Sequence, residues 1–549
     1  MYIIYFKLDR VKKLMKGEFN MYACPTCGAG LLFDPKTQKL LCLSCRNRYD
    51  PEEIEKMRLD QAKEVENNLD SEKEYEAISY KCSHCGAELI TTDETITTFC
   101  SFCRTGTMLD RKIIKKRKPD YIIPFKITKE ECEKIYIDKI KKSIFAPKNM
   151  IDTQEVEKIR GIYMPYWIYS FEKHSTDNSR GSKYSHRSGD YIYYDDYSLY
   201  TTVDAECSGI THDATSNFYD RLSEAIAPYS IKEKKEFSPA YLSGYYADNE
   251  DVVDNTYLND SEEIASKHIS KILGKEKEYH KYNAKPNIIF DNKSAKLALF
   301  PVYFLATKNN KKDRISYAVI NGQTGKIAAD IPIDFKKFGF FSLILTVIIF
   351  MLLNLFLTIS MPKLTVLSIL FNIASIFILV KQNKKIVIRN EELDDVGVQL
   401  KKTFKTIDQI KKESKKEKDI KSNKFQMIFW FSFFIAAMVI MSILPIIIEF
   451  PSIFKFLGYL TVLIVSIIMV IRKIKYPEKD SSIYKPIYGL LLTLLVFCIR
   501  PASDVYYYAA ALVSIAFTIG SFYDIIDKFN ILTTRKLPQL GARGGDENA

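Results

Sequence analysis

The sequence predicts a multidomain protein with two tandem four-cysteine zinc ribbons, an α+β domain with an antiparallel sheet, and an all-α region of six transmembrane helices. Three observations lead to this fold class. Eight of the eleven cysteines form four CxxC pairs, residues 1–335 are polar and rich in tyrosine, and residues 338–527 hold nearly all the long apolar runs. The mean hydropathy of −0.12 averages these unlike halves, and 549 residues are enough for several domains.

Shifts in composition divide the chain into segments with the following expected boundaries. They are 1–20, a leader; 21–50, the first ribbon; 51–79, a charged helical spacer; 80–110, the second ribbon; 111–335, a basic linker and the α+β cytosolic domain; 336–380, a transmembrane hairpin; 381–424, a basic cytosolic segment; 425–527, four transmembrane helices; and 528–549, a cytosolic tail.

The beginning of the chain and its composition carry two further expectations. The codons of Lys16-Gly17-Glu18 can contain a ribosome-binding sequence, which favours a start of translation at Met21. The alternative is a start at Met1, with 1–20 as a short disordered leader. Lys, Ile, Asn and Tyr are abundant, as AT-rich codons would give, which favours a bacterial source. The formal charge of +12 suits contact with phosphate, either of lipid or of nucleic acid.

The four CxxC pairs are an internal duplication. Cys24-Pro-Thr-Cys27 and Cys42-Leu-Ser-Cys45 recur as Cys82-Ser-His-Cys85 and Cys100-Ser-Phe-Cys103, and every cysteine is offset by 58 residues. Fourteen residues separate the two pairs of each unit, which is enough for a β-hairpin that brings the second pair back to the first. The predicted metal ligands are Cys24, Cys27, Cys42, Cys45, Cys82, Cys85, Cys100 and Cys103.

Four thiolates at this spacing can close a tetrahedral shell around zinc, with sulfur–metal distances of about 2.3 Å. No coordination position stays open for water, so we expect two structural zinc ions. Gly28 and Gly86, each after a CxxC pair, suit the left-handed backbone of a tight turn. A redox dithiol and a rubredoxin-like iron site are the alternatives, although a redox motif needs only one pair. The isolated Cys132, Cys207 and Cys498 are expected to be buried small hydrophobes.

Basic residues follow the ribbons. The neighbours expected to offset the negative charge of the closed sites are Lys39, Arg46, Arg48, Lys81 and Arg104. The run 111–118 has six cations and no acid, and it is interpreted either as a phosphate contact or as a solvated linker. The candidate contacts to nucleic-acid or lipid phosphate are Arg111, Lys112, Lys115, Lys116, Arg117 and Lys118.

The middle region has mixed secondary structure and no catalytic motif. We expect a helix over 130–145, a strand over 159–173 that is interrupted at Pro165, and a helix over 261–273 capped by Ser261. Asn321-Gly322-Gln323-Thr324-Gly325 predicts a hairpin with positive φ at Asn-Gly and at the later Gly. The alternative, a phosphate-binding Walker A loop, is not favoured because it needs another spacing of its glycines. No HExxH, GxSxG or GxGxxG motif is present, so we expect no enzymatic activity.

The order of motifs resembles a known family. Tandem CxxC knuckles are followed by IPFKI, FAPK, GIYMPYWIY, AYLSGYYAD, LFPVYF and NGQTGK, and then by apolar helices. This order, over residues 22–380, resembles the bacterial transcription-factor-IIB-type zinc-ribbon membrane proteins, which are common in Firmicutes and largely uncharacterised. The duplicated ribbon and the extra apolar runs go beyond the family's single-ribbon pattern. Some members are labelled as primosomal helicase or DNA-binding proteins, but this chain has no Walker motif.

Six apolar runs are long enough to cross a bilayer. They are 338–360, 362–380, 427–449, 453–472, 484–500 and 504–527. Lys and Arg are concentrated in alternate connections, above all in 381–424, which predicts a multi-pass cell-membrane protein with both termini cytosolic. No run has a charged residue near its centre, which favours anchoring over transport. Segment 381–424 either rests on anionic lipid or serves only as an orientation signal.

These features favour a non-enzymatic adaptor, in which the ribbons and the β-rich domain hold a cytosolic protein partner at the membrane. The alternatives are a membrane-tethered nucleic-acid-binding protein and a transporter or channel component with a zinc-ribbon regulator. The expected partners are thus the lipid bilayer and an unidentified cytosolic protein, with nucleic acid as the alternative. A homo-oligomer through the transmembrane helices is a further hypothesis.

Overall fold

The computed structural model describes residues 22–63, 74–92, 99–106, 110–275, 281–282, 290–309, 314–356, 361–390, 395–397, 481–499 and 504–536. The leader at 1–20 and the apolar runs 427–449 and 453–472 lie outside these residues, as does most of the basic segment 381–424. Two sheets and nine α-helices form within the described part of the chain.

The first ribbon is a small antiparallel sheet followed by a helix. Its strands are β1 (Leu31–Asp34), β2 (Lys39–Cys42) and β3 (Arg48–Tyr49), and helix α1 covers Pro51–Lys63. Pro51 occupies the first turn and is followed by two glutamates, which suits the positive end of the helix dipole. The predicted helical spacer therefore begins as a helix.

The remaining strands form a second, mixed sheet of 13 described strands. They are β4 (Glu74–Lys81), β5 (Glu88–Thr91), β6 (Asp110–Arg117), β7 (Tyr121–Ile122), β8 (Arg160–Ser188), β9 (Tyr191–Asp213), β10 (Lys235–Glu236), β11 (Tyr246–Asp248), β12 (Lys281–Tyr282), β13 (Asn292–Asn309), β14 (Arg314–Asn321), β15 (Ile327–Ala329) and β16 (Arg535–Lys536). The predicted purely antiparallel sheet is wrong, because β11 pairs with β8, and β7 with β13, in parallel.

The order across this sheet is β10-β7-β13-β8-β11-β5-β4-β6. Strands β9 and β12 also pair with β8, β14 pairs with β13, and both β15 and β16 pair with β14. The second ribbon is therefore built into the main sheet, because β4 and β5 flank its first CxxC pair. The first ribbon keeps its own small sheet.

Strands β8 and β9 form a long hairpin that turns at Gly189, which has φ +60°. The predicted interruption at Pro165 is wrong, since β8 passes through it. Strand β13 pairs with one edge of β8. On the opposite edge, β11 pairs with Tyr163 and β9 pairs with Tyr166, so Pro165 lies where one neighbouring strand replaces the other. A proline is tolerated at such a position because no ladder hydrogen bond requires its missing N–H.

Four helices pack around the main sheet: α2 (Lys129–Lys141), α3 (Thr153–Val156), α4 (Asp220–Ile226) and α5 (Leu258–Lys275). The predicted helix over 130–145 is confirmed as α2, which begins at a capping box formed by Thr128 and Glu131. The predicted cap at Ser261 is wrong, because α5 begins three residues earlier and Ser261 is buried within it.

The predicted hairpin at residues 321–325 is confirmed and joins β14 to β15. Of its residues, Gly325 has the positive φ, +76°. Gly322 is required for another reason, since a Cβ there would lie 2.5 Å from the ring of Phe125. The expectation of positive φ at Asn-Gly is therefore wrong, and close packing explains the first glycine.

The C-terminal helices are α6 (Phe335–Phe356), α7 (Met361–Asn390), α8 (Tyr484–Ile499) and α9 (Asp504–Leu532). The predicted region of six transmembrane helices is wrong. Within the described residues one helix, Tyr508–Leu532, is long and apolar enough to cross a membrane by length and composition. The multi-pass topology consequently loses its support.

Helix packing explains part of the difference between the six predicted transmembrane helices and the single candidate among the described residues. Helix α8 has 16 residues, fewer than the roughly 20 that a span needs. Its Leu490 and Leu494 are buried with Ile369 of α7 in a small apolar core. An apolar run thus also serves helix–helix packing. The amide of Asn372 on α7 donates to Ser514 Oγ on α9 at 3.0 Å, so this side chain links the two helices.

The two ends of the helical region are joined to each other, and its C-terminal end is fixed to the main sheet. The backbone N–H and C=O of Ile333 bond to the side chain of Asn530 at 2.7 and 2.9 Å. The guanidinium of Arg314 donates to the carbonyls of Ile531 and Thr534 at 2.9 and 2.8 Å, which caps the C-terminus of α9. Strand β16 follows at once and pairs with β14.

Candidate metal centres

Site 1 consists of Cys24, Cys27, Cys42 and Cys45. The first two lie in the turn before β1, Cys42 ends β2, and Cys45 lies in the turn before β3. The Sγ atoms of Cys24 and Cys45 are 3.5 Å apart, as are those of Cys27 and Cys42. All four sulfurs lie within 4.8 Å of one another.

Site 2 consists of Cys82, Cys85, Cys100 and Cys103. Its Sγ atoms are 3.7 Å apart for Cys82 and Cys103, and 3.7 Å apart for Cys85 and Cys100. These four sulfurs also lie within 4.8 Å of one another. The structure therefore brings together all eight predicted ligands, as two separate groups with the same connectivity.

The donor sets fit a tetrahedral metal ion. Sulfurs that are each 2.3 Å from one zinc ion are about 3.8 Å apart in a tetrahedron. The separations of 3.5 to 3.7 Å are close to this value. Each group supplies four thiols, so a four-coordinate ion would have no open position for a substrate. Both groups can hold a metal ion, and their composition is compatible with zinc.

The turns that carry the cysteines repeat the same backbone geometry four times. After each CxxC pair comes a residue with positive φ: Gly28 (+73°), Arg46 (+62°), Gly86 (+75°) and Arg104 (+60°). Each of these residues donates its N–H to the carbonyl of the first cysteine of its pair, at 2.8 to 2.9 Å. Sequence reasoning found the two glycines and missed the two arginines, because arginine rarely adopts this conformation.

The thiols in each group perturb one another's ionisation. Although burial opposes it, hydrogen bonds from the Tyr49 hydroxyl and the Cys27 N–H lower the pKa of Cys24 to about 6. Contact with the Cys100 thiol lowers the pKa of Cys82 to about 6, whereas contacts with Cys103 and Cys82 raise the pKa of Cys100. Four thiolates this close repel each other, so complete ionisation requires a cation among them.

The two sites differ in exposure. All four cysteines of site 2 are buried, with at most 2% of each residue exposed. In site 1, Cys24 and Cys42 are buried, Cys45 is half-buried and Cys27 is exposed. Leu43 of the first ribbon and Ser101 of the second are equivalent in the duplication and show the same contrast. Leu43 is 66% exposed, whereas Ser101 is 4% exposed.

Arg104, expected to offset charge at site 2, instead connects this site to the rest of the domain. Its guanidinium donates to both carboxylate oxygens of Glu155 and, at 2.8 Å, to the carbonyl of Ala306. Its side chain is 7% exposed. Nearby, the Tyr317 hydroxyl donates to the Phe102 carbonyl at 3.1 Å. Site 2 is therefore tied to β13 and β14.

The chain is similar to the uncharacterized protein YdjG of Bacillus subtilis (strain 168). The two are 29% identical over 321 residues, which is 58% of this chain and 91% of YdjG. No family model matches the chain, and no solved structure matches it. The likeness fits an uncharacterised group of bacterial proteins, and the resemblance to transcription-factor-IIB-type ribbons stays a prediction.

The predicted phosphate contacts at 111–118 lie mainly on β6, which pairs with β4 at an edge of the main sheet. Lys116 Nζ lies 3.7 Å from a carboxylate oxygen of Glu250. The side chain of Arg111 lies outside the described part of the structure. The exposed members of the run are Lys112, Lys115, Arg117 and Lys118. Whether they bind phosphate stays a prediction.

Sequence reasoning missed an exposed aromatic surface at the tip of the β8–β9 hairpin. We call residues 182–198 the tyrosine arm. Its exposed large side chains, each at least 40% accessible, are Tyr184, Tyr191, Ile192, Tyr193, Tyr194 and Tyr197. The ring of His186 stacks on that of Tyr193, with 4.7 Å between their centroids. The signal was present in the sequence, because aromatic residues on both faces of a strand cannot all be buried in a two-stranded ribbon.

Proposed function

We propose that this protein is a non-enzymatic binding module, in which two structural zinc ions stabilise a surface that holds a protein partner at a membrane. The two closed four-cysteine groups carry this proposal. A site with four protein ligands fixes backbone segments and leaves no position for substrate or activated water. The binding energy of a metal in such a site becomes folding energy, because the site does not exist in the unfolded chain.

The tyrosine arm supports a protein as the partner. Tyrosine is enriched in protein–protein interfaces, where it gives a large contact area at a low entropic cost. Two cations, Lys183 and Arg187, stand among three acids, Asp190, Asp195 and Asp196. This near-neutral balance does not suit a phosphate backbone, which attracts an excess of Lys and Arg. Strand β12 pairs with β8 at Ser182, and beyond this point the described part of the arm is a two-stranded ribbon. Such a ribbon is only marginally stable alone, so a partner that covers the arm would stabilise it.

Apolar side chains on the helices support membrane attachment. Only 22% of the most apolar 18-residue stretch of Tyr508–Leu532 is buried, unlike the core helix of a soluble domain. Leu512 and Ile519 on this helix are 68% and 65% exposed, and Phe340 on α6 is 70% exposed. Many exposed apolar side chains along a helix of this kind are stabilised by a lipid or protein environment. We place α9 in the bilayer as the anchor.

The topology of the sheet separates this anchor from the arm. Strand β16 continues from α9 and pairs with Arg314 and Ile315 at the start of β14, near the end of the sheet where β8 begins. Strand β8 then runs for 29 residues towards the tip, which is roughly 90 Å along the strand. A chain anchored through α9 would therefore present the tyrosine arm away from the bilayer.

Metal analysis of the purified full-length protein tests the first part of the proposal. We expect two zinc ions per chain by inductively coupled plasma mass spectrometry, and one in a variant with Cys24→Ser and Cys27→Ser. Iron in place of zinc would show the rubredoxin-like alternative, and a chain without metal would overturn the proposal. A turnover assay is not needed for this readout.

A second function, nucleic-acid binding at the membrane, is favoured by one observation. The exposed cations Lys112, Lys115 and Arg117 lie together on edge strand β6. Binding through them should weaken steeply as salt rises, since each neutralised phosphate releases counterions. Replacing the three by glutamine should abolish binding to a single-stranded oligonucleotide at about 50 mM salt if this function holds. Absence of binding by the unaltered protein under these conditions would exclude it.

A further inference from the structure

We propose that the two metal sites have different tasks: site 1 is an exchangeable, oxidant-sensitive metal site, and site 2 keeps its ion permanently. The inference rests on the proposed binding of one zinc ion by each four-cysteine group. It goes beyond that proposal because it assigns a modification chemistry to one of two sites that are duplicates in sequence.

Access to the sulfurs is the first observation. An oxidant or a competing chelator must reach a sulfur or the ion itself. Cys27 is exposed and Cys45 is half-buried, and Pro25 and Thr26 beside Cys27 are exposed as well. In site 2 no sulfur has this access, because all four side chains are buried. Reactive cysteines are those that combine thiolate character with exposure.

The surroundings of each site are the second observation. Site 2 lies between β4 and β5 on one side and the buried Phe102 on the other, and β5 pairs with β11 inside the main sheet. The Arg104 guanidinium and the Phe102 carbonyl hold its second turn to β13 and β14, so opening the site would break these contacts. Site 1 belongs to a separate three-stranded sheet. Cys24 and Cys42 pack in the same apolar core as Phe125, but the turn with Cys27 is exposed. Exposed turns open locally at a lower free energy than the core of a domain.

Hydrogen bonds dock the first ribbon on the domain through its β1–β2 hairpin. The Phe33 N–H donates to the Ser243 carbonyl at 3.0 Å, and the Gln38 amide donates to the Phe125 carbonyl at 2.7 Å. Both donors lie between the two CxxC turns in the chain, and neither belongs to a metal-binding turn. The exposed turn that carries Cys27 can therefore open while the hairpin, which ends at Cys42, stays docked.

Hydrogen peroxide is the oxidant class that this geometry suits. The Cys27 thiolate attacks one peroxide oxygen, the O–O bond breaks, and the departing hydroxide takes a proton to become water. The resulting sulfenic acid is attacked by the thiolate of Cys42, whose sulfur is 3.5 Å away. An S–S bond forms, and the S–O bond breaks to release hydroxide, which becomes a second water.

In balance, two thiolates lose one electron each, and one peroxide with two protons becomes two waters. The metal ion does not change its oxidation state. A disulfide is a poor ligand, so site 1 then releases its ion. Loss of the ion would loosen the first ribbon and leave the main sheet intact.

The test uses full-length protein in detergent after reconstitution with zinc, and follows release with the chromophoric chelator 4-(2-pyridylazo)resorcinol. We expect peroxide to release one equivalent at least tenfold faster than the other, which should stay bound until the protein is unfolded. Peptide mapping should locate the new disulfide between Cys27 and Cys42. Release of both equivalents at one rate, or of site 2 first, would overturn the inference.

The duplication supplies matched variants, since Cys27→Ser and Cys85→Ser change equivalent positions. Cys27→Ser protein should lack only the zinc ion that peroxide releases rapidly. Cys85→Ser protein should lack only the zinc ion that is released slowly. Because loss of a buried ligand in Cys85→Ser can prevent folding, alkylation of the unaltered protein with N-ethylmaleimide gives an independent readout, in which Cys27 and Cys45 should react before the four cysteines of site 2. Reconstituted protein that binds fewer than two zinc ions would instead contradict the proposed function itself.

Discussion

At the scale of single residues, the two ribbons differ most at the arginine that follows the last cysteine. Arg46 and Arg104 are equivalent in the duplication, and both have positive φ. Arg104 is buried and holds Glu155 and the Ala306 carbonyl, whereas Arg46 is exposed. The same backbone position has thus become a connection to the domain in one ribbon only.

Alanine at these two positions should therefore have unequal effects. Arg104→Ala should lower the free energy of unfolding by about 2 to 3 kcal/mol, because the half-buried Glu155 carboxylate and the Ala306 carbonyl lose charge-assisted hydrogen bonds. Arg46→Ala should lower it by less than about 0.5 kcal/mol. Both substitutions place alanine at a backbone position with positive φ. The difference between their effects on the unfolding free energy therefore measures the contribution of the Arg104 side-chain contacts. Urea unfolding of the zinc-loaded protein measures it, and equal effects would contradict the assigned role.

A second residue-scale prediction concerns Asp248 on β11. Its carboxylate accepts from the Thr215 hydroxyl at 2.8 Å and from the Asn217 amide at 3.0 Å. Burial nevertheless raises its pKa to about 7. The native state then binds more protons than the unfolded state between roughly pH 4 and 7, where the unfolded group is ionised. The unfolding free energy that Asp248 contributes therefore falls as the pH rises from about 4 to about 7 and does not change further at higher pH.

Asp248→Asn should remove this pH dependence, since the amide is neutral and still offers an acceptor oxygen. Relative to the unaltered protein, the variant should gain about 2 kcal/mol of unfolding free energy between about pH 5.5 and 7, at about 1.4 kcal/mol per pH unit. Denaturant titrations at three pH values, two within this window and one above it, with saturating zinc would measure this gain. A difference that stays constant across the three values would show that Asp248 does not titrate there.

The ligand residues could be predicted from sequence, because CxxC spacing and the offset of 58 residues constrain the metal geometry. The unequal burial of the two sites could not. It depends on which partner strands surround each ribbon, and β11, which pairs with β5 beside site 2, lies more than 140 residues further along the chain. Pairing over such a separation leaves no local signal in the cysteine motif.

At the scale of secondary-structure elements, local signals predicted α2 and the β14–β15 hairpin well. The Thr128–Glu131 capping box and the Asn-Gly turn act over a few residues. The prediction failed at Pro165, where the change of neighbour from β11 to β9 decides whether a proline is tolerated. It also failed at Ser261, where burial outweighs the residue's preference for a cap.

The tyrosine arm gives the element-scale prediction. Replacing Tyr191 and Tyr193 by serine should reduce capture of the protein partner from source membranes by more than tenfold, because exposed aromatic side chains dominate interface energies. The unfolding free energy should change by less than about 0.5 kcal/mol per substitution. Quantitative cross-linking mass spectrometry compares the variant with Val253→Ser, which removes a side chain that is 68% exposed elsewhere. Equal capture by the two variants would contradict the role of the arm.

At the scale of the whole molecule, apolar composition predicted where the helical region lies but not how many helices cross a membrane. Hydropathy measures the composition of a run, and the same composition serves a helix that packs against others. Helix α8 shows this, with its short length and its buried Leu490 and Leu494. Its neighbours α7 and α9 decide its environment, and a single sequence window does not contain them.

Membrane attachment through α9 gives a prediction at the same scale. Leu512→Glu with Ile519→Glu should move the protein from the carbonate-resistant membrane fraction to the soluble or aggregated fraction. Acidic groups in the hydrocarbon interior cost about 2.5 to 3.5 kcal/mol each. Leu43→Glu with Val253→Glu is the control, because these residues are equally exposed on the sheet domains. Unchanged fractionation of the α9 variant would show that another part of the chain anchors it.

The pairing of β16 with β14 has a consequence for how the molecule is made. The ribosome must synthesise every helix before Arg535 and Lys536 emerge to complete the sheet and before Arg314 can cap α9. The sheet domain therefore cannot finish folding until the whole helical region has been synthesised. A chain interrupted before residue 535 would leave Arg314 and Ile315 of β14 without their β16 partner, and an unpaired strand edge of this kind is a template for aggregation with another chain.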